Sequence, residues 1–267
     1  MRILAVTNQK GGVGKTTTTI NLGAALAAVG ERVLILDLDP QGNASTGLGV
    51  PPHERKETTY DILVNDAPIE EAVINTLVPG LDIAPSDADL AAAELDLSQT
   101  ARRNFRLRDA LERFHDGRVH AGLAPYDYVL MDCPPSLNVL TINALTAADG
   151  VLVPLQCEFF ALEGLVQLQR TIDRVKENLN PRLEIQGVVL TMYDSRNNLA
   201  RQVAEDVRAH FGNTVYQTAI PRNVRVSEAP SFGRPALIYD YRCAGSQAYM
   251  RFASELISRE RQIREAA

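Results

Sequence analysis

Short apolar runs and helical stretches alternate along most of the chain. Arg2-Ile-Leu-Ala-Val-Thr7 has the unbroken apolar character of a strand buried on both faces of a parallel sheet. Residues 17–29 then read as a helix, with Ile20, Leu22, Ala24, Ala25 and Leu26 apolar and Gly30 as its stop. Further apolar runs at 33–38, 81–84, 128–131, 150–154 and 185–190 recur between helical stretches. That alternation predicts an α/β three-layer sandwich, a mainly parallel twisted sheet covered by helices on both faces. The strongest helical periodicity lies over 161–177, where Leu162, Leu165, Val166, Leu168, Ile172 and Val175 share a face. A second helix is expected over 97–115, its Arg102, Arg103, Arg106 and Arg108 forming a solvated face or a partner surface. Residues 49–56 and 117–125 read as exposed loops. The segment from Arg251 reads as a packed helix carrying Phe252, Leu256, Ile257 and Ile263, fraying into a polar tail over 260–267. A chain of 267 residues with this pattern is expected to form one domain.

Composition narrows the setting. Cys133, Cys157 and Cys243 are too scattered for a disulfide framework or a four-ligand metal site, which points to the reducing cytoplasm. The first strand begins at Arg2, leaving no room for a signal peptide, and no apolar run approaches membrane-spanning length. The net charge of −6 hides an asymmetry. Residues 181–267 hold 12 Arg, no Lys, and 9 Asp and Glu, a balance of +3 against −9 for the rest. Salt bridges and helix caps account for many of these arginines, but a local basic patch on an acidic protein is compatible with the count.

The first strand runs into Lys10-Gly-Gly-Val-Gly-Lys-Thr16, a phosphate-binding loop. Its glycines let backbone N–H groups approach phosphate, and the following helix adds its N-terminal dipole. Lys15 is placed to reach the β- and γ-phosphates, and Thr16 to ligate Mg²⁺. Gln9 stands where the ordinary pattern has its first glycine, and Lys10 follows it. A lysine there has no backbone purpose; it implies a second phosphate contact, within the subunit or across a dimer interface.

Two acidic strand ends complete the chemistry. Val33-Leu-Ile-Leu-Asp-Leu-Asp39 delivers Asp37 and Asp39, which alternation points the same way, one to support Mg²⁺ and one to orient water. Tyr128-Val-Leu-Met-Asp132 ends in an acid suited to hold Mg²⁺ through water, and Pro134-Pro135 stiffens the loop after it. Cys133 reads as structural. Met192, with Pro221, Arg222 and Asn223, lies on late loops of the kind that enclose a base.

Residues 9–19, Asp37-Leu-Asp-Pro-Gln-Gly-Asn43, Asp132-Cys-Pro-Pro-Ser136, 190–194 and Val226-Ser-Glu-Ala-Pro-Ser231 resemble the deviant Walker A P-loop ATPases of the ParA/Soj partitioning group, within the ParA/MinD class. The resemblance covers nearly the whole chain. It implies an ATP-dependent homodimer in which two subunits sandwich two ATPs with Mg²⁺ and Lys10 reaches the partner's phosphates. Gly11 would lie at the closest approach of the subunits. Gly12, Val13 and Gly14 would cradle phosphate, and Lys15, Thr16 and Thr17 would contact it. Asp39 would carry the hydrolysis role, and Pro221, Arg222 and Asn223 would line the adenine site. It also implies non-specific binding of double-stranded DNA through Arg196 and Arg225, slow ATP hydrolysis stimulated by a ParB-type centromere-binding protein, and a place on the nucleoid.

A MinD-like membrane regulator needs a C-terminal amphipathic helix, whereas 260–267 has one large apolar residue. An iron-protein-type reductase needs paired interface cysteines, which Cys133 and Cys157 do not resemble. A sequence-specific repressor would carry a helix-turn-helix domain before the first strand. The cargo, whether chromosome origin, plasmid or protein cluster, is left open by the sequence.

Overall fold

The computed structural model describes residues 1–266, with side chains as far as Gln262. Seven strands form one sheet: β1 (Arg2–Val6), β2 (Val33–Asp37), β3 (Ile74–Asn75), β4 (Leu81–Ala84), β5 (Tyr128–Asp132), β6 (Gly150–Gln156) and β7 (Glu184–Thr191). Their order is β3-β4-β2-β5-β1-β6-β7. Every pairing is parallel except β3 against β4, where Ile74 faces Ile83. This two-residue edge strand escaped the sequence reading because two residues carry no periodicity.

The helices are α1 (Lys15–Ala28), α2 (Asn43–Gly47), α3 (Ile69–Ala72), α4 (Ala93–Asp96), α5 (Arg106–His120), α6 (Val139–Ala147), α7 (Ala161–Asn178), α8 (Asn198–Phe211), α9 (Val224–Glu228), α10 (Ala236–Tyr239) and α11 (Ala244–Ala266). Strand alternation divides the apolar residues between two cores. Ala5, Leu34 and Leu36 face a cluster with Leu111, Phe114, Leu145 and Leu168 of α5, α6 and α7. Leu4, Val6, Val33 and Ile35 face another with Leu22 and Leu26 of α1 and Tyr249, Phe252 and Leu256 of α11. The sheet is therefore sandwiched between two helical layers.

Two expected elements differ. The helix expected over 97–115 begins only at Arg106, because Arg102 takes a left-handed φ of 59° and a short 3₁₀ turn, Arg103–Phe105, follows it. Its arginines are largely engaged: Arg102 pairs with Asp109, Arg106 donates to the Leu63 carbonyl, and Arg108 lies over the Phe105 ring. The helix continues to His120, so the loop expected from 117 starts after it. At the other end, α11 is helical through Ala266. Glu260, where fraying was expected to begin, is 5% exposed and accepts from Arg2 Nε at 2.9 Å. Ile263 lies beyond the described side chains, and Ala267 beyond the described residues. No helix among the described residues is long and apolar enough to cross a membrane.

Candidate functional site

The loop between β1 and α1 is shaped by its glycines. Gly12 and Gly14 adopt φ of 73° and 87°, conformations that L side chains rarely take. Gly14 caps α1, so Lys15 and Thr16 open the helix. The Val13 carbonyl accepts from Thr191 Oγ1 at 2.7 Å, tying the loop to the end of β7. Gly11 is different: it has no left-handed φ, and a Cβ there would meet nothing of its own chain within 4 Å. Neither backbone strain nor internal packing calls for a glycine at this position.

The loop forms one wall of a cavity of about 370 Å³. Gly11, Gly12, Gly14, Lys15, Thr16 and Thr17 line it on this side, and Thr191, Met192, Pro221, Arg222 and Asn223 on another. Tyr249 of α11 closes part of it, its hydroxyl 3.3 Å from that of Thr18. Met192 holds a left-handed φ of 47°, a strained conformation for a residue with a long side chain. Asn223 uses its Oδ1 to accept from the N–H groups of Arg225 and Val226, capping α9. Of the positions expected around a nucleotide, only Lys10 and the buried Val13 are absent from the lining.

Lys15 is nearly enclosed, and its Nζ donates to the Lys10 carbonyl at 3.0 Å. Burial lowers its pKa, while the carboxyl groups of Asp132 and Asp39 work in the opposite sense. The three acids have separate environments. Asp39 lines the cavity from the turn after β2, where its Oδ1 accepts from the Gln41 N–H at 3.0 Å. Asp37, expected to point the same way, is instead sealed at 0% exposure. The Ser45 N–H and hydroxyl donate to its Oδ2 at 2.9 and 2.7 Å, and the Asp39 N–H donates to its Oδ1. The strand ends at Asp37, so strand alternation no longer governs where Asp39 points.

Asp132 sits beside Asp37 on the adjacent strand and is equally buried. Thr19 Oγ1 donates to its Oδ1 at 3.1 Å, and Oδ2 is buried without a hydrogen-bond partner among the described residues. Burial first, then the charge of Asp37, pushes the Asp132 carboxyl up to about 8; burial pushes Asp37 up to about 6. Burial raises the Cys133 thiol as well, consistent with a structural residue. No three His, Cys, Asp or Glu side chains converge to hold a metal among the described residues. The oxygen donors of Thr16, Asp39 and Asp132, the last with an orphaned buried oxygen, suit a hard cation that keeps phosphate oxygens and water in its shell.

A family model described as an AAA domain matches residues 1–185. The chromosome partitioning protein ParA of Caulobacter vibrioides is 67% identical over 261 residues, covering 98% of this chain and 96% of that one. The chain belongs to the ParA/Soj family. The sporulation initiation inhibitor protein Soj of Bacillus subtilis is 51% identical over 255 residues, 96% of this chain and 98% of Soj. Among solved structures, cobyrinic acid a,c-diamide synthase from Mycobacterium smegmatis with bound ATP analogue and magnesium superposes with a TM-score of 0.82. It is 39% identical, covering 96% of this chain and 94% of that one.

Within this ParA/Soj chain, the extra lysine of the loop does not line its own cavity. Lys10 Nζ is paired with the carboxylate of Glu158, just after β6. Sequence reasoning missed Glu158 and Tyr249, whose partners lie 148 and 231 positions away, and Ser45, eight positions from Asp37, because no local pattern marks these contacts. Arg196 and Arg225 stand on two segments that the fold joins. Tyr193 and Pro221 form a parallel bridge, with the Tyr193 N–H donating to the Ile220 carbonyl and the Arg222 N–H to that of Tyr193. Arg196 forms two hydrogen bonds to the Asp194 carboxylate, at 2.9 and 2.8 Å, which holds Asp194 down at about 2. Arg225 pairs with Glu228 at 3.1 Å and approaches Asp240 at 3.7 Å.

Proposed function

We propose that this protein is an ATP-hydrolysing chromosome-partitioning switch, in which bound ATP joins two subunits and the dimer holds DNA without sequence preference. The observation that carries this reading is the division of labour between the two lysines. Lys15 is enclosed with Thr16 at the start of α1 in the cavity, while Lys10 does not line it and pairs with Glu158. Chromosome partitioning proteins ParA at 67% and 51% identity, from Caulobacter vibrioides and Myxococcus xanthus, and a 39% identical neighbour with ATP analogue and magnesium, support it.

In this reading the phosphates lie on Gly12 to Thr17, and the base lies against Met192, Pro221, Arg222 and Asn223. Thr16, and through water Asp39 and Asp132, would hold Mg²⁺, which would supply charge neutralisation at the phosphates. Lys15 sets its ammonium against the β- and γ-phosphates, and Asp39 orients the water that attacks the γ-phosphorus. The bond to the bridging oxygen breaks, leaving ADP and inorganic phosphate. Lys10 exchanges Glu158 for the phosphates bound in the partner subunit, and Gly11 admits that partner's close approach.

Arg196 and Arg225 form the DNA-facing patch, two-fold repeated in the dimer. Each is already matched to a carboxylate, so phosphate must displace an ion pair, and one subunit alone binds weakly. A ParB-type centromere-binding protein stimulates hydrolysis and so releases the dimer from DNA. The protein works on the nucleoid in the cytoplasm and uses no membrane.

The test is sizing with ATP, ADP and no nucleotide, for the wild-type chain and Lys10→Ala, each with and without non-specific duplex DNA. The expected result is a dimer with ATP only, lost in Lys10→Ala, and DNA retention that follows the dimer. A chain that remains monomeric under every condition overturns the proposal.

A further inference from the structure

The residues after Glu158 break the rule that large apolar side chains are covered. Phe159 is 75% exposed and Phe160 65%, and they are consecutive. Their rings meet edge to face, with centroids 5.0 Å apart and planes at 84°. The turn carrying them is defined by backbone hydrogen bonds: the Glu158 N–H donates to the Gln156 carbonyl, the Ala161 N–H to that of Glu158, and the Gly164 N–H to that of Phe160. Two aromatic rings are thus displayed on an ordered turn at the head of α7 rather than on a slack loop.

The position of this turn says what it meets. Lys10 is ion-paired to Glu158, so the rings stand beside the phosphate loop, on the surface where Gly11 is kept free of a side chain without any internal cause. Resting on the dimeric reading above, we infer that Phe159 and Phe160 form the apolar clasp of the ATP-dependent dimer, packing against a second copy of this chain. A two-fold axis through this surface brings four rings into one interface. At their present exposure they contribute roughly 500 Å² of apolar area, about half of what a specific interface needs. The nucleotide and Lys10 supply directional contacts; the rings supply burial that both subunits contribute equally. The Lys10–Glu158 pair links the two, because its exchange for phosphate happens one residue from the clasp.

The experiment compares wild-type protein, Phe159→Ser/Phe160→Ser and Phe159→Leu/Phe160→Leu. Dimerisation is measured by analytical ultracentrifugation with a slowly hydrolysed ATP analogue, and binding of fluorescent ADP is measured alongside. Dimerisation of the Ser variant is expected to weaken at least tenfold, with ADP affinity unchanged and the Leu variant largely restored. A photoreactive phenylalanine analogue at position 159 is expected to crosslink two copies with the ATP analogue and not with ADP. Wild-type protein that dimerises while the Ser variant dimerises equally well overturns the clasp alone. So does an unchanged dimer in which the variant loses only stimulation by a ParB-type protein or capture by lipid vesicles. Wild-type protein that stays monomeric overturns the dimeric reading and the clasp with it.

Discussion

Asp37 and Asp132 lie side by side on neighbouring strands, both without solvent, and both hold their protons more tightly than a free carboxyl does. In each case the folded value exceeds the unfolded one. The stabilising contribution is therefore complete below about pH 4 and lost as pH rises, through about 6 for Asp37 and about 8 for Asp132. Asp37→Asn removes one of the two charges and relieves the other. Without nucleotide or magnesium, wild-type protein is expected to lose stability relative to Asp37→Asn between pH 4 and pH 8, by on the order of 1–3 kcal/mol. Thermal unfolding of both proteins across that range checks it, and parallel curves count against the buried pair. Asp39, in contrast, faces the cavity. Asp39→Ala is expected to keep ATP binding and dimerisation while hydrolysis falls at least a hundredfold; phosphate release and sizing measure the two halves separately.

At the scale of elements, the strands and α1 were legible because each is written locally: buried apolar runs, and glycines and lysines at fixed spacing. The break at Arg102 was not, since arginines in series look helical until one of them takes a left-handed turn. Nor was the sealing of Asp37, which depends on Ser45 from α2, or the closure of the cavity by Tyr249, 231 positions from its partner Thr18. Such contacts exist only once elements pack. Gly187 in β7 is a further example. A Cβ there would overlap the ring of Tyr216, which is fully buried, packs edge to face on Phe252 at 4.7 Å and has the Arg259 guanidinium 4.1 Å above it. Gly187→Ala is expected to destabilise the fold by about 1–3 kcal/mol, seen as a Tm lower by roughly 2–10 °C, with the cavity chemistry intact.

For the whole molecule, charge is distributed by sequence position: −9 over residues 1–180 and +3 over the remainder. Repulsion from the acidic part would oppose DNA, so in the proposed reading binding rests on a small number of arginines and weakens with salt. The ATP-bound protein is expected to lose DNA affinity steeply with added salt. Arg196→Ala and Arg225→Ala should each lower the slope of log K against log salt by about 1 per subunit. Titrations of fluorescent duplex at several salt concentrations measure this, and unchanged slopes place the patch elsewhere.

The bridge between Tyr193 and Pro221 gives that patch a mechanical character. Two backbone hydrogen bonds rivet two late loops into a single bracket, and a third, from the Ile220 N–H to the Leu190 carbonyl, anchors it to β7. The inner edge of the bracket bears on the cavity through Met192 and Asn223, and its outer edge carries Arg196 and Arg225. Arg225 stands on α9, which Asn223 caps, so a shift of the bracket at the cavity would carry the start of this short helix with it. Amide exchange at Tyr193, Ile220 and Arg222 should therefore slow when either nucleotide or DNA is bound, and slow most when both are, one clamp gripped from its two sides.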